Sequence, residues 1–432
     1  MAARPSSFLA EEARALLTRL ARVKPLALHE AMVPAAGISP TAQIAIERHL
    51  ADGQRKLRRS VHLFLDWLKS AAGSEATPSE AQRRYTLLRL QFNAVLMQFD
   101  LFADVLTQRS EHETGVWLSG LDAVAADALA LPGYYEAPPA ICYLDRGIGA
   151  AIRRARTRLP GGGENPVAII RVPRERMVGS GIASSLVHEV GHQAAALLDL
   201  VNPLRLVLQQ QEHNDKDSVW RFWERWISEI LADFWSVARV GVASTLGLIG
   251  VVSLPRAFVF RANLDDPHPI PWIRVKLSCA MGRTLYPHVQ WETLSKTWES
   301  FYPTSGLAEA TRKLLAKLES STPHFLSVLV NYRPRALRGR TLREVMETRK
   351  RQPARLRAYF QTWRRAPGQM HKAPPSLVFA AIGQARADGA ITPEKESDVL
   401  AKLLIHWALR STLDISAVCA ERSQLRAPAP IT

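Results

Sequence analysis

The sequence predicts an α+β protein that is predominantly α-helical, and three observations point that way. Apolar residues recur at intervals of three and four over long stretches at both ends of the chain. Runs dense in β-branched and aromatic residues, bounded by Pro and Gly, occur at residues 140–145 (AICYLD) and 166–173 (PVAIIRVP). The composition, 47% hydrophobic and 22% charged over 432 residues, is that of a globular chain long enough for more than one core, without internal repeats or low-complexity tracts.

Taken in order, residues 8–23, 41–70 and 79–108 read as amphipathic helices separated by the turn signals PAAGISP and AAGSEATPSE. They define a helical amino-terminal region, 1–115. The two strand-like runs follow, and GIGAAIRRARTRL between them reads as a helix ended by PGGGENP. PVAIIRVP reads equally well as an interior strand or as an edge strand able to pair with an extended peptide. This central region extends over 116–304. From about residue 305 helical periodicity returns, giving a helical, basic carboxy-terminal region, 305–432, with RAPAPIT as its end.

Charge and cysteine content narrow the function classes. The formal charge is +16, and much of it lies from Arg333 to Lys372, where 13 Lys or Arg stand against Glu344 and Glu347. That segment interleaves cations with Tyr359, Phe360 and Trp363. Its apolar residues recur at helical spacing, so it reads first as a charged solvated face, with a nucleic acid, an acidic protein partner or an anionic surface as its alternative ligands. Cys142, Cys279 and Cys419 lie far apart without CxxC spacing, which suggests neither a disulfide framework nor a cysteine metal site. Glu11 and Glu12 interrupt any apolar leader, so no signal peptide is expected and the expected location is the cytoplasm. The uncharged VGVASTLGLIGVVSL, 15 residues from Val240, falls short of the roughly 20 that a spanning helix needs and reads as a buried segment beside the site.

The chemistry concentrates in GSGIASSLVHEVGHQAAALLDL. Read as a helix capped by Ser180, with Ile182, Leu186, Val190 and Ala194 as its apolar stripe, it sets His188 and His192 one turn apart on one face. Two imidazoles so placed can share one cation, while Glu189, about 100° round the helix, reaches the water that the cation holds. Gly191, costly inside a helix, reads as a point of close approach. Such a site needs a third protein ligand. Position 198, where a metzincin carries its third histidine, is Leu198. Glu212 lies in the polar run QQQEHNDKDS with His213, which reads as a solvated loop. Glu229 and Asp233 share a face of WRFWERWISEILADFWSVARV, where Trp220, Trp223, Trp226 and Trp235 read as core.

HEVGH followed by EILAD resembles the gluzincin clan of zincin metallopeptidases, and is closest in motif to the thermolysin-like enzymes and the CAAX prenyl-protease and heat-shock protease groups. The resemblance runs from Val167 to Lys276. It implies a zincin-like catalytic domain holding Zn2+ through His188, His192 and Glu229, with Asp233 orienting His188. It also implies Glu189 as the general base of a metallopeptidase acting on a protein or peptide. DDPHPIPWIRVKLS is similar to a His-Pro…Arg segment of the CAAX group, which would bring His268 or Arg274 near the cleft, His268 as a catalytic donor. Tyr286 and His288 are lesser candidates for stabilising an oxyanion. Thirty-six residues separate His192 from Glu229, more than in thermolysin-like enzymes, and the CAAX group's membrane helices have no counterpart. Two further readings stand beside this one: a catalytically silent zincin-fold scaffold, and a regulatory protease that binds nucleic acid through its basic segment.

Overall fold

The computed structural model describes residues 5–23, 32–145, 149–174, 178–214, 219–263 and 265–424, with only the backbone of residues 183, 212–214 and 414–424. Three antiparallel amphipathic helices open the chain: Pro5–Arg22, Pro40–Lys69 and Pro78–Thr107. The two long ones start as their sequences dictate, each with Pro in the first turn behind a capping hydroxyl. Ser39 accepts from Ala42 N and Thr77 from Glu80 N, both at 3.2 Å. Ala42, Ile46, Leu50, Leu57, Val61 and Phe64 form the buried stripe of the first long helix, and Leu88, Phe92, Val95, Phe99 and Phe102 that of the second.

This layer covers one face of a three-stranded sheet ordered β1-β3-β2, with β1 Ala140–Asp145, β2 Ala151–Arg153 and β3 Ala168–Pro173. β1 runs parallel to β3 (Ala140 opposite Ala168), and β2 runs antiparallel to it (Ala151 opposite Arg171). Ile141 and Ile169 face the amino-terminal helices, whereas Cys142, Leu144, Ile170 and Val172 face the second, larger core. PVAIIRVP is thus the interior strand, which removes it as a peptide-pairing edge. The expectation of a helix over GIGAAIRRARTRL is overturned: its described part is the short edge strand β2 and a turn, fixed by pairing with β3 rather than by the helix-forming Ala and Arg.

The larger core runs from Leu118 to Trp407 and gathers the helices that build the site with those of the carboxy-terminal third. The boundary expected at residue 115 falls inside the helix His112–Leu129. At the centre, the HEVGH helix, Ser180–Leu197, crosses the tryptophan helix, Trp220–Val240. Gly191 permits this crossing, since a Cβ there would lie 2.8 Å from Ala232 Cα. The uncharged stretch is a short helix, Val242–Val252, buried against the HEVGH helix. No helix among the described residues is long and apolar enough to cross a membrane.

Two local expectations are corrected. Ser180 is the first helical residue rather than the cap: Gly179 occupies the cap position, and Ser180 N donates instead to Glu396 Oε1 (3.2 Å) of the last helix, Pro393–Gln424. Residues 209–214 of the polar run are helical, within Val201–Asn214. The side chains of Glu212, His213 and Cys419, and RAPAPIT, lie outside the described residues.

Candidate metal centre

The HEVGH helix turns His188 and His192 to the same side, ring centroids 4.8 Å apart and nearly perpendicular. Facing them, Glu229 projects from the middle of the tryptophan helix. His188 Nε2 lies 3.2 Å from Glu229 Oε2 and His192 Nε2 lies 3.4 Å from Oε1. One donor atom from each residue falls within 4.8 Å of the others, so the three could hold a metal ion. One turn further along, Asp233 Oδ1 accepts from His188 Nδ1 at 2.7 Å. That bond sets the orientation of the ring and turns Nε2 toward Glu229.

The aromatic residues of this helix are structural. Trp223 stacks on Phe325 with centroids 4.7 Å apart and donates to Ser321 Oγ, and the Trp235 indole donates to Ala128 O, 3.0 Å in both hydrogen bonds. Trp220, Trp223, Trp226 and Trp235 are all buried, which holds Glu229 and Asp233 rigidly toward the histidines.

The helix Pro271–Leu285 contributes Arg274, which clamps Asp233 through Nε to Oδ2 (2.7 Å) and Nη2 to Oδ1 (2.9 Å). Burial would push Asp233 up, but Arg274 and His188 outweigh it and hold the carboxyl well below the usual range. Burial likewise opposes the charge on Glu229, yet hydrogen bonds from both imidazoles keep it far below its ordinary value. Burial disfavours the cation at His188, whereas Asp233 and Glu229 favour it more strongly and raise its pKa to about 9. These signs describe a pocket that stabilises positive charge.

Glu189 is buried, 8% exposed, and close enough to add to the field that keeps Arg274 protonated. His268 sits at the open rim, 49% exposed, with Nε2 3.3 Å from Glu229 Oε2. Asp266 holds that ring, accepting at Oδ1 from His268 Nδ1 (2.8 Å) and from its main-chain N (2.9 Å). The structure thus gathers His188, Glu189, His192, Glu229, Asp233, His268 and Arg274. It removes Tyr286 and His288 as oxyanion donors: the Tyr286 hydroxyl is buried against Ala238 O (2.6 Å), and the His288 ring engages Gln290 N and Arg357.

Two contributors escaped sequence reasoning. Asp266 had a signal, an Asp two residues before a His in a Pro-flanked turn. Ser228, with Oγ 3.4 Å from His192 Nδ1, had none beyond its place before Glu229. The basic segment uses part of its charge internally: Arg351 is buried and donates to Arg239 O and Ser376 Oγ, and Arg357 pairs with Asp388. Tyr359 and Trp363 stack on each other.

No protein-family model, curated protein or solved structure matches this chain. The functional reading therefore rests on the site itself.

Proposed function

We propose that the protein is a zinc-dependent peptidase of gluzincin type, acting on a protein or peptide. The observation that carries this reading is the convergence of His188 Nε2, His192 Nε2 and the Glu229 carboxylate. Nitrogen and oxygen donors at zinc distances of about 2.0 to 2.1 Å from a tetrahedral ion stand about 3.3 Å apart. The His188 Nε2 to Oε2 separation, 3.2 Å, is of that size, and His192 Nε2 stands 3.4 Å from the other oxygen of the same carboxylate. The donor set and the carboxylate behind His188 also suit zinc better than a hard, all-oxygen cation.

Zinc, when bound, supplies a Lewis acid that acidifies water and polarises a substrate carbonyl. The remaining chemistry belongs to the chain. Glu189 is on the helix turn that carries both histidines and takes no part in the tripod, so its carboxylate is free to accept the proton of the attacking water and pass it to the leaving amine. Asp233, itself held by Arg274, keeps His188 in its ligating tautomer. His268 is anchored through Nδ1 on Asp266 and holds Nε2 at the open rim beside Glu229, a place from which it suits a donor to the developing oxyanion. Asp266 positions that ring.

Glu189→Gln tests the assignment. The variant should bind zinc as the parent does and lose hydrolysis of any peptide the parent cleaves. Undiminished cleavage would refute the mechanism.

A further inference from the structure

Residues 151–158, AIRRARTR, include four arginines that the mechanism above does not use. They form the edge strand β2 and the turn after it, drawn against the HEVGH helix where Ala155 N donates to Gln193 Oε1 (2.8 Å). Arg153, Arg154, Arg156 and Arg158 are all exposed. Arg154 then lines a cavity of about 400 Å3 with Asp199, Asn202, Arg205 and Ser228. Ser228 contacts His192 through its Oγ, so the cavity adjoins a residue of the metal tripod.

The walls carry two guanidinium groups, Arg154 and Arg205, and one carboxylate, Asp199. The Arg205 side chain is 40% exposed and forms a loose ion pair at 3.7 Å with Glu224, which stands outside the lining, and its buried Nε makes no hydrogen bond. A buried N–H left unmet is uncommon in folded proteins and marks a place where an acceptor is missing. The guanidinium fork matches a carboxylate in shape and charge. A polypeptide paired along the free side of β2 would run beside the HEVGH helix, and the exposed arginines would steer an acidic chain toward that edge.

Building on the peptidase reading, we propose that this cavity is the substrate's carboxylate subsite. It takes an acidic side chain or a free chain terminus, with Arg154 and Arg205 setting the specificity.

The test uses the full-length, zinc-reconstituted Glu189→Gln chain and fluorescent peptides in two pairs: Glu against Gln at one position, and free against amidated carboxy terminus. Anisotropy should show the acid form of one pair binding about tenfold or more tighter than its neutral counterpart, and the pair that discriminates names the source of the carboxylate. Arg205→Glu should abolish the preference. Arg154→Glu, at an exposed position where folding is not at stake, should weaken it at least severalfold. Equal binding of acid and neutral forms in both pairs, or a preference unchanged in the Arg154 variant, would overturn the proposal. Because the readout is binding, failure of the parent chain to hydrolyse peptides would refute the peptidase reading separately.

Discussion

The helix pair Pro40–Lys69 and Pro78–Thr107 and the crossing of the HEVGH and tryptophan helices are both buried interfaces, built to opposite ends. In the first, apolar stripes interlock, and a polar exception is the hydrogen bond of 2.8 Å between His49 and Gln98. Burial there stabilises at roughly 25 cal/mol per Å2 of apolar surface. In the second, His188, Glu229, Asp233 and Arg274 meet at side-chain exposures of 9 to 12%. Removing such charges from water is costly, and their pairing often does no more than offset that cost. A crossing that buries these charges beside its apolar contacts gains little stability from them, and the negative groups around the two histidines give it a place that could hold a metal ion.

That contrast can be broken or sharpened by substitution. The largest effect is expected for Glu189→Gln, which should lower kcat on a peptide substrate by about 100- to 10,000-fold while zinc content, measured by elemental analysis, stays at the parental level. Leu50→Ala, in the amino-terminal pair where Leu50 is 1% exposed, should cost about 2–5 kcal/mol of stability in denaturant titration and leave zinc affinity unchanged. If Leu50→Ala weakened zinc binding, the two regions would not be separable as described. Asp233→Asn keeps the shape but loses the charge behind His188, and zinc affinity by competition with a chromophoric chelator should fall about 10- to 100-fold.

The smallest effect is in pH dependence. In the metal-free protein the His188 pKa rises from 6.5 to about 9. Its stabilising contribution should therefore be complete below pH 6.5 and be lost as the pH climbs through about 9. The thermal midpoint of the metal-free chain should decline over that window, whereas the zinc-loaded chain, whose His188 must be neutral to ligate, should not show this decline.

How much of this was legible beforehand follows from where each feature is encoded. The amino-terminal helices are local, because apolar periodicity and the turns between them specify them without reference to the rest of the chain. His188, Glu189 and His192 were legible because four residues along a helix fix their mutual placement. Glu229 and Asp233 were found because they share a helix face and resemble a known pattern. What depended on distant contacts was missed. The strand Ala151–Arg153 carries residues that favour a helix and becomes a strand only by pairing with β3. Glu396 meets the start of the HEVGH helix from 216 residues away, and no local signal at Ser180 announces it. Tyr286 looked available for chemistry because sequence alone cannot reveal that its hydroxyl is committed to Ala238.

The most direct test of the central claim is X-ray absorption spectroscopy at the zinc edge on the purified chain, titrated to saturation, beside its Glu229→Ala variant. One zinc per chain, coordinated by two imidazole nitrogens and a carboxylate oxygen, with that oxygen lost and affinity sharply reduced in the variant, is the expected result. No stoichiometric zinc, or a coordination shell and affinity identical in parent and variant, would contradict it.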